Sequence, residues 1–553
     1  MGFLTALLAR WYGVRACCHL AGASHPPLRH ATLGQVASEA AEKWGHRTAA
    51  HFPVENVSLG YAEFHEQVER VAQGLLSLEV ESGSRVAILS PTCHRYIVCQ
   101  FAAAKAGLTL VPINDRCHIH ELDSALKRAS CRVLLVGRGF KKQDYSQWAQ
   151  DLAGEHRAPL SLERYPSLKY IISLDNTAES RSVMGFSELL SLGQGHASRL
   201  SSASPDLHSA ASMLHSSGST GIPKIIPLSH FNLVNAVHLF RHMTGFEAER
   251  SVMCCAMPLY HAFGHVDFAI CSIAEGMTTV YLPPGTPTTH ILACIEQYRC
   301  TTLQGTPTLY HDLLHCPEFG RRDISSICEA TNFDAGLIGA TSLQRPALEN
   351  IADKLRLRRL VMAYGLTETA GPMAIGLHTE AGYQPLPHTE CRLCDNELQV
   401  RGPTVFAGYW DHPESGLLPD GWLPTGDQAE LTEQNLLRIR GRIKDLVIKG
   451  GVNISPEEIE LALVEHESVE EASVVGVPDE RLGEELCAWV RLAPGARNKI
   501  TEQQLREHCK RKVNSLKVPR YFEIVDDFPR TSVGKISKRD IRSTMTDNLR
   551  GKS

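Results

Sequence analysis

From about residue 32 the apolar residues follow two alternating periods. In "QVASEAAEKW" and "YAEFHEQVERVAQGLLSL" they recur three and four apart, as on one face of a helix, whereas "RVAILS", "LTLVPI" and "RVLLVG" are short β-rich runs bounded by turns. Alternation of the two predicts βαβ units and a largely parallel sheet with helices on its faces. The pattern returns at "SVMCCAMPLY", "MTTVYLP" and "TTLQGTP", which extends one α/β unit to about residue 380. Between about 390 and 440 the texture changes to "ELQVRG", "GYW", "DGWLPTGD" and "LLRIRGRIKD", short strands and turns that predict a β-rich subdomain. A compact pattern follows: helix "SPEEIELALVEH", with Ser455 as N-cap and Pro456 at its first position, strands "EASVVGVP" and "ELCAWVRL", and helix "EQQLREHCKRKV". The expected fold class is therefore α/β, with a large N-terminal domain at 32–443 and a small C-terminal α+β domain at 444–553.

Composition narrows the function classes. With 553 residues, the chain is long enough for two or three domains, and its 43% hydrophobic and 21% charged residues are those of ordinary globular proteins. A formal charge of −5 gives no reason to expect nucleic acid or an anionic membrane as the main partner. The 17 cysteines are scattered and read as reduced thiols; Cys391 and Cys394 form a lone CxxC within "HTECRLCDNELQV", which reads as alternating strand rather than a metal site. The segment 1–31 contains Arg10, Arg15 and Arg29 and has no acidic residue, the composition of a transit segment; mitochondrion is the expected compartment and cytoplasm the alternative. Its apolar run "FLTALLA" is too short to span a bilayer, so no transmembrane segment is expected there. The serine-rich patch at 197–212 reads as a surface loop.

Chemistry concentrates first in "HSSGSTGIPK", residues 215–224. Glycines 218 and 221 let backbone N–H groups turn inward, Ser216, Ser217, Ser219 and Thr220 add hydroxyls, and Lys224 adds a full positive charge, a combination suited to phosphate. The loop follows the β-like "SAASMLHSS" and precedes the helix-like "SHFNLVNAVHLF", a common setting for an anion cradle. It does not fit a Walker A loop in any register. Alone, such a loop is more often a flexible connection, but "AYGLTETAG" at 363–371, "PTGD" at 424–427, "GRIKDLVIKGG" at 441–451 and "PRTSVGKISK" at 529–538 follow in that order.

With these five motifs the chain resembles, over almost its whole length, the adenylate-forming superfamily of acyl-CoA synthetases, luciferases and peptide-synthetase adenylation domains. "LQGTPTLYHDLL", "PLPHTECRL", "VRGPTVFAGYW" and "DERLGEELCAWVRL" are similar to segments of mitochondrial medium-chain acyl-CoA ligases. The resemblance implies an enzyme that uses ATP, Mg2+ and coenzyme A on a small-molecule carboxylic acid, with a small domain that moves against the large one. It implies that the loop Ser216, Ser217, Gly218, Ser219, Thr220, Gly221, Ile222, Pro223 and Lys224 holds the ATP phosphates, with Thr220 and Lys224 as main ligands. Tyr364 would stack on adenine, Glu368 with Thr220 would hold Mg2+, and Asp427 would accept hydrogen bonds from the ribose, assisted by Arg442. Lys444 matches the hinge, Lys535 the lysine that bridges the attacking carboxylate and the α-phosphate, Gly450 and Gly451 the loop near pantetheine, and His261 the residue bordering the thiol path. Outside this context each has an ordinary reading as a turn, surface or core residue.

The chemistry accounts for these residue types. A carboxylate is a poor acyl donor because oxide is a prohibitive leaving group, and exchanging that oxygen for AMP removes the difficulty. Carboxylate and α-phosphate repel, and charge accumulates on the phosphoryl oxygens in transfer, so a fixed cation and Mg2+ are the natural stabilisers. Three departures from the superfamily pattern bear on specificity or local structure: Ile225 and Ile226 follow Lys224, "GATS" at 339–342 puts Ala340 and Thr341 in the acyl and adenine pocket, and the connection between "ECRLCD" and "ELQVRG" is short. The leading reading is a medium-chain acyl-CoA synthetase. Its alternatives are an adenylating CoA ligase for an aromatic or specialised-metabolite acid and a non-catalytic nucleotide-binding scaffold. Oligomeric state is not legible.

Overall fold

A computed structural model of the chain describes residues 18–550 except 141–142, 177–179, 217–222, 246–249, 330–334, 340–344, 358, 381, 412–415, 494, 497–499 and 532–535. The predicted alternation resolves into two large sheets. One has seven strands in the spatial order Lys224–Ser229, Ala210–Ser216, Thr109–Pro112, Arg85–Leu89, Val133–Val136, Tyr170–Ser173 and Met184–Gly185, parallel except at the first pair. The other has nine, with a parallel centre of Thr48–Phe52, Thr278–Tyr281, Val252–Cys255, Thr302–Gly305, Ala335–Gly339 and Arg359–Leu366 and antiparallel strands at both edges.

Why the strands in "RVAILS" and "RVLLVG" are apolar beyond the leading arginine is visible in the packing. Val86 and Ile88 enter a core shared with helices Leu33–Trp44, Tyr61–Ser77 and His94–Lys105 and with the nine-stranded sheet, while Ala87 and Leu89 point to the opposite face, against helices Ile119–Arg128 and Tyr145–Ala153. Successive residues face opposite sides of a strand, so a strand covered on both sides has no position left for a polar residue.

The β-rich subdomain is a five-stranded antiparallel sheet in the order Cys18–Ala21, Glu390–Cys394, Glu397–Arg401, Leu423–Leu431 and Leu437–Arg442. Cys391 is a buried strand residue in it, and all 15 described cysteines are free thiols. The short connection after Cys394 is a two-residue hairpin turn, Asp395 and Asn396, both with positive φ (53° and 66°), the geometry in which Asp and Asn are tolerated and whose twist matches the flanking strands. Part of the segment assigned to a transit sequence belongs to this sheet: Cys18–Ala21 pairs with Glu390–Cys394, and the Arg29 amide donates to Asn235 Oδ1 at 2.8 Å. The remainder, 1–17, lies outside the described residues.

Two further expectations are corrected. The serine-rich patch is not simply a loop, since it contains helix Ala197–Ser202 and begins strand Ala210–Ser216. The loop at 217–223 does not lead into a helix; strand Lys224–Ser229 intervenes and pairs back on Ala210–Ser216, with Lys224 opposite Ser216. Ile225 and Ile226 are the reason: both are fully buried, one on each face of the sheet, which requires extended backbone there. Helix His230–Thr244 starts only after this strand, capped by Ser229, so its N-terminus is not the loop's anion site.

Beyond Arg442 a single 3-10 turn, Ile443–Asp445, carries the exposed Lys444 and leads to Val447–Lys449, a strand of a separate sheet. That sheet runs Val452–Ile454, Val447–Lys449, Gly483–Leu492, Val469–Asp479, with Tyr521–Val525 parallel to Gly483–Leu492. Val474, Leu486 and Ala488 bury one of its faces; Val475, Val477 and Cys487 bury the other against Ile541 and Met545 of helix Lys538–Arg550.

Candidate active site

The strand–turn "AYGLTETAG" and the strand "PTGD" meet at one point. Tyr364, near the end of Arg359–Leu366, donates its hydroxyl to Asp427 Oδ2 at 2.6 Å; Arg442, paired with Asp427 across neighbouring strands, places Nε 2.6 Å from Oδ1. The Thr425 hydroxyl accepts from the Asp427 amide at 3.1 Å and donates to the Leu398 carbonyl at 2.7 Å, which fixes the turn below. Asp427 is 3% exposed. Both its oxygens are thus oriented by a donor. The Tyr364 ring lies 6.0 Å from that of Tyr383, tilted by 51°.

A second constellation lies at the hairpin carrying the Ser/Gly loop. Lys224 holds Nζ 4.2 Å from the centroid of the Tyr409 ring, and the Tyr409 hydroxyl donates to Glu368 Oε1 at 2.9 Å. The aromatic ring thus spaces a cation from a carboxylate that would otherwise neutralise it, and both stay available to a ligand. The mount is rigid: the Trp410 amide donates to the Ile225 carbonyl at 3.0 Å, Arg128 donates to the Pro223 carbonyl at 2.7 Å and pairs with Asp411 at 2.5 Å, and the Phe406 amide donates to the Glu368 carbonyl at 2.9 Å. In the sequence "GYW" gave a short strand and the end of a family-like segment but no role for its tyrosine, which is the residue that joins Lys224 to Glu368. Glu368 fits Mg2+ by its donor set, a carboxylate whose single described partner is a neutral phenol and which no described cation pairs.

Of the other expected residues, Ser216 ends the strand opposite Lys224, and Ser217, Gly218, Ser219, Thr220, Gly221 and Ile222 lie outside the described residues, as do Lys535 and, in "GATS", Ala340 and Thr341. The residues flanking Lys535 are described: Arg530 and Ile536 form a β-bridge, and Arg530 pairs with Glu471 at 2.9 Å. Gly450 and Gly451 form a two-residue hairpin turn with φ of 58° and 82°, which glycine adopts without strain, and the exposed Ile448 and Val452 flank it. His261 is half-buried and its Nδ1 accepts from the Phe263 amide at 3.3 Å. Directly after it the chain forms a π-helix, Phe263–Ile270, a wide-bore geometry concentrated at functional sites.

That π-helix holds a group the sequence did not single out. Asp267 is 3% exposed, its carboxyl is pushed well above the ordinary range by burial alone, and no hydrogen bond or ion pair to it occurs among the described residues. Gly371, three residues beyond Glu368, has φ of 105°, and a Cβ there would come within 3.0 Å of Asp267 Oδ1. Glycine therefore keeps the motif strand close to the carboxylate. One acidic letter inside "GHVDFAI" gave no periodic signal by which to find it.

Comparison with known proteins decides the lineage. A profile of the AMP-binding enzyme family matches residues 37–410, and one of the AMP-binding enzyme C-terminal domain matches 458–535. The chain belongs to the AMP-binding enzyme family. Among its relatives, a protein named as a mitochondrial medium-chain acyl-CoA ligase from Danio rerio is 31% identical, over 96% of this chain and 90% of the relative. A putative acyl-CoA synthetase, YngI, from Bacillus subtilis is 31% identical over 93% of this chain and 97% of its own. Among solved structures, ATP-bound MatB from Rhodopseudomonas palustris superposes with a TM-score of 0.77 at 25% identity, covering 94% of this chain and 99% of that one. The fold is that of adenylate-forming enzymes, a large domain followed by a small one, in this AMP-binding enzyme as in its relatives.

Proposed function

We propose that this AMP-binding enzyme, an AMP-forming acid–CoA ligase, acts on a medium-chain fatty acid. The single observation that carries a nucleotide-dependent reading is the convergence of four of the motifs: Asp427 is held by Tyr364 and Arg442, and Glu368 is linked through Tyr409 to Lys224 beside the Ser/Gly loop. The substrate size rests on the relatives named as medium-chain ligases.

In the first step a carboxylate oxygen attacks the α-phosphorus of ATP, the bond from that phosphorus to the bridging oxygen breaks, and pyrophosphate leaves. Asp427 receives the ribose hydroxyls, Tyr364 offers its ring to adenine, and Lys224 with the loop 216–222 neutralises the phosphates. Glu368 and Thr220 would hold Mg2+, which supplies positive charge where the phosphoryl oxygens gain negative charge. Lys535 contributes the second cation from the small domain. In the second step the CoA sulfur attacks the acyl carbon, AMP leaves, and the thiol proton passes to solvent. The exposed Gly450–Gly451 hairpin, with apolar Ile448 and Val452 beside it, is a surface suited to docking on the large domain along the thiol path bordered by His261.

Asp267 favours a second reading of the acid. A buried carboxyl without a partner costs about 1–3 kcal/mol, so an acid whose far end bears an amine, hydroxyl or amide would be bound by it, whereas an alkyl chain would not. A panel of fatty, aromatic, hydroxy and amino acids, assayed for CoA-dependent AMP release, separates the readings. Preference for octanoate-sized alkyl acids supports the first, and preference for acids with a distal donor supports the second. AMP release from no acid would contradict both. We also propose a mitochondrial compartment, on the arginine-bearing, acid-free N-terminal segment. No helix among the described residues is long and apolar enough to cross a membrane.

A further inference from the structure

Away from the nucleotide site, helix Pro307–Leu314 of the large domain meets strand Val469–Asp479 of the small one. His311 and His315, four residues apart, lie on one face at the end of this helix, with ring centroids 4.2 Å apart. Glu470, early in the facing strand, is hydrogen-bonded through Oε1 to His311 Nε2. One ligand atom from each of His311, His315 and Glu470 lies within 4.8 Å of the other two.

What separates this from a chance ion pair is the arrangement behind the ligand atoms. His315 Nδ1 lies 2.8 Å from the His311 carbonyl, so its hydrogen sits on Nδ1 and Nε2 carries the free lone pair. His311 donates from Nδ1 to Asp312 Oδ1 at 3.2 Å, and its Nε2–H donates to Glu470, so a cation at Nε2 takes the place of that proton. Arg491 lies 3.7 Å from Glu470 Oε2 and so leaves Oε1 as the coordinating oxygen. Histidines that ligate metals characteristically give their second ring N–H to a carbonyl or carboxylate, and both do so here.

We propose that His311, His315 and Glu470 form a binding site for a zinc-class divalent cation that ties the small domain to the large one. Two imidazoles and one carboxylate are the donor set of three-ligand zinc sites, with water as the fourth ligand, and imidazole disfavours Mg2+. Because Glu470 comes from the other domain, the occupied site holds one domain arrangement. If the two half-reactions need different arrangements, which rests on the ligase reading, the cation slows the full cycle. Metal binding itself does not depend on that reading.

The test uses the full chain in excess Mg2+, with Zn2+ followed by calorimetry and Co2+ by its visible absorption. The expected result is one ion per chain, a tetrahedral Co2+ spectrum, and affinity weakened by about 10–100-fold or more in both His315→Ala and Glu470→Ala, since each removes a ligand. Zn2+ should also protect the turn at 443–445 from protease in the wild type and not in either variant. Absence of binding, or binding undiminished in His315→Ala, overturns the site; binding undiminished in Glu470→Ala overturns the link between domains. Zinc binding as expected in a protein that activates no acid would leave this site standing and remove the ligase reading instead.

Discussion

Asp427 shows how much of the proposed nucleotide site is built before any ligand arrives. Its carboxylate is oriented by Tyr364 and Arg442, so in the proposed role it would offer the ribose acceptors already aimed. Tyr364→Phe keeps the ring and removes one hydrogen bond to a charged group; the KM for ATP should rise on the order of tenfold with little change in the acid's KM, as steady-state kinetics would show. An unchanged ATP KM would mean that Asp427 does not contact the nucleotide. These residues were legible in the sequence because each sits in a short motif whose letters have few other uses. Tyr409 and Asp267 were not, since an aromatic in "GYW" and an acid in "HVDF" acquire their roles only from residues 41 and 104 positions away, Glu368 and Gly371. Asp267→Leu should leave ATP binding intact; if the acid bears a distal donor, its KM should rise by about tenfold or more, while alkyl acids should improve.

Among the elements, the small domain's Gly450–Gly451 hairpin is tethered by a buried ion pair. Lys449 and Glu485, 9% and 5% exposed at their side chains, lie 2.5 Å apart on neighbouring strands, and the Gly450 amide donates to the Leu482 carbonyl at 2.8 Å. Removing one partner leaves a buried charge uncompensated, so Glu485→Ala should destabilise the small domain by about 3–5 kcal/mol, measured as a shifted denaturant midpoint. Replacing the pair together by Met and Leu should cost much less. Element types were largely readable from periodicity, including the parallel-sheet strands whose apolar runs reflect burial on both faces. The exceptions were long-range pairings: Cys18–Ala21 on Glu390–Cys394 has no local signal, and Lys224–Ser229 reads as the exit of the Ser/Gly loop because "KIIPLS" is short and holds a proline.

Across the whole molecule, the contact between domains contains a group poised to titrate. Burial, followed by the neighbouring Glu460 and Asp427 carboxylates, pushes Glu457 up to about 7, against the opposing pull of Lys538 and Arg440. An acid that holds its proton more tightly when folded stabilises the fold most below its unfolded value. Its contribution is lost as pH rises through about 7, where the Glu457 carboxylate, beside Gly441, becomes charged against Glu460 and Asp427. Stability measured by thermal unfolding should therefore decline between pH 5 and 8, and Glu457→Gln should flatten that decline; an unchanged slope in the variant would assign the titration elsewhere. The division into two domains followed from a change of texture at "GRIKDLVIKGG", but the sequence held no trace of which faces meet, because His311 and Glu470 are 159 positions apart.

The central claim is that this chain makes an acyl adenylate from ATP and a carboxylic acid, using a loop of the large domain and a lysine of the small one. Acid-dependent exchange of labelled pyrophosphate into ATP, measured without CoA, tests it most directly. Exchange with at least one acid, reduced by about 100–1000-fold in Lys535→Ala while thioester formation from supplied acyl adenylate persists, is the predicted result. No exchange with any acid by a protein that binds ATP, or exchange indifferent to Lys535, would contradict it.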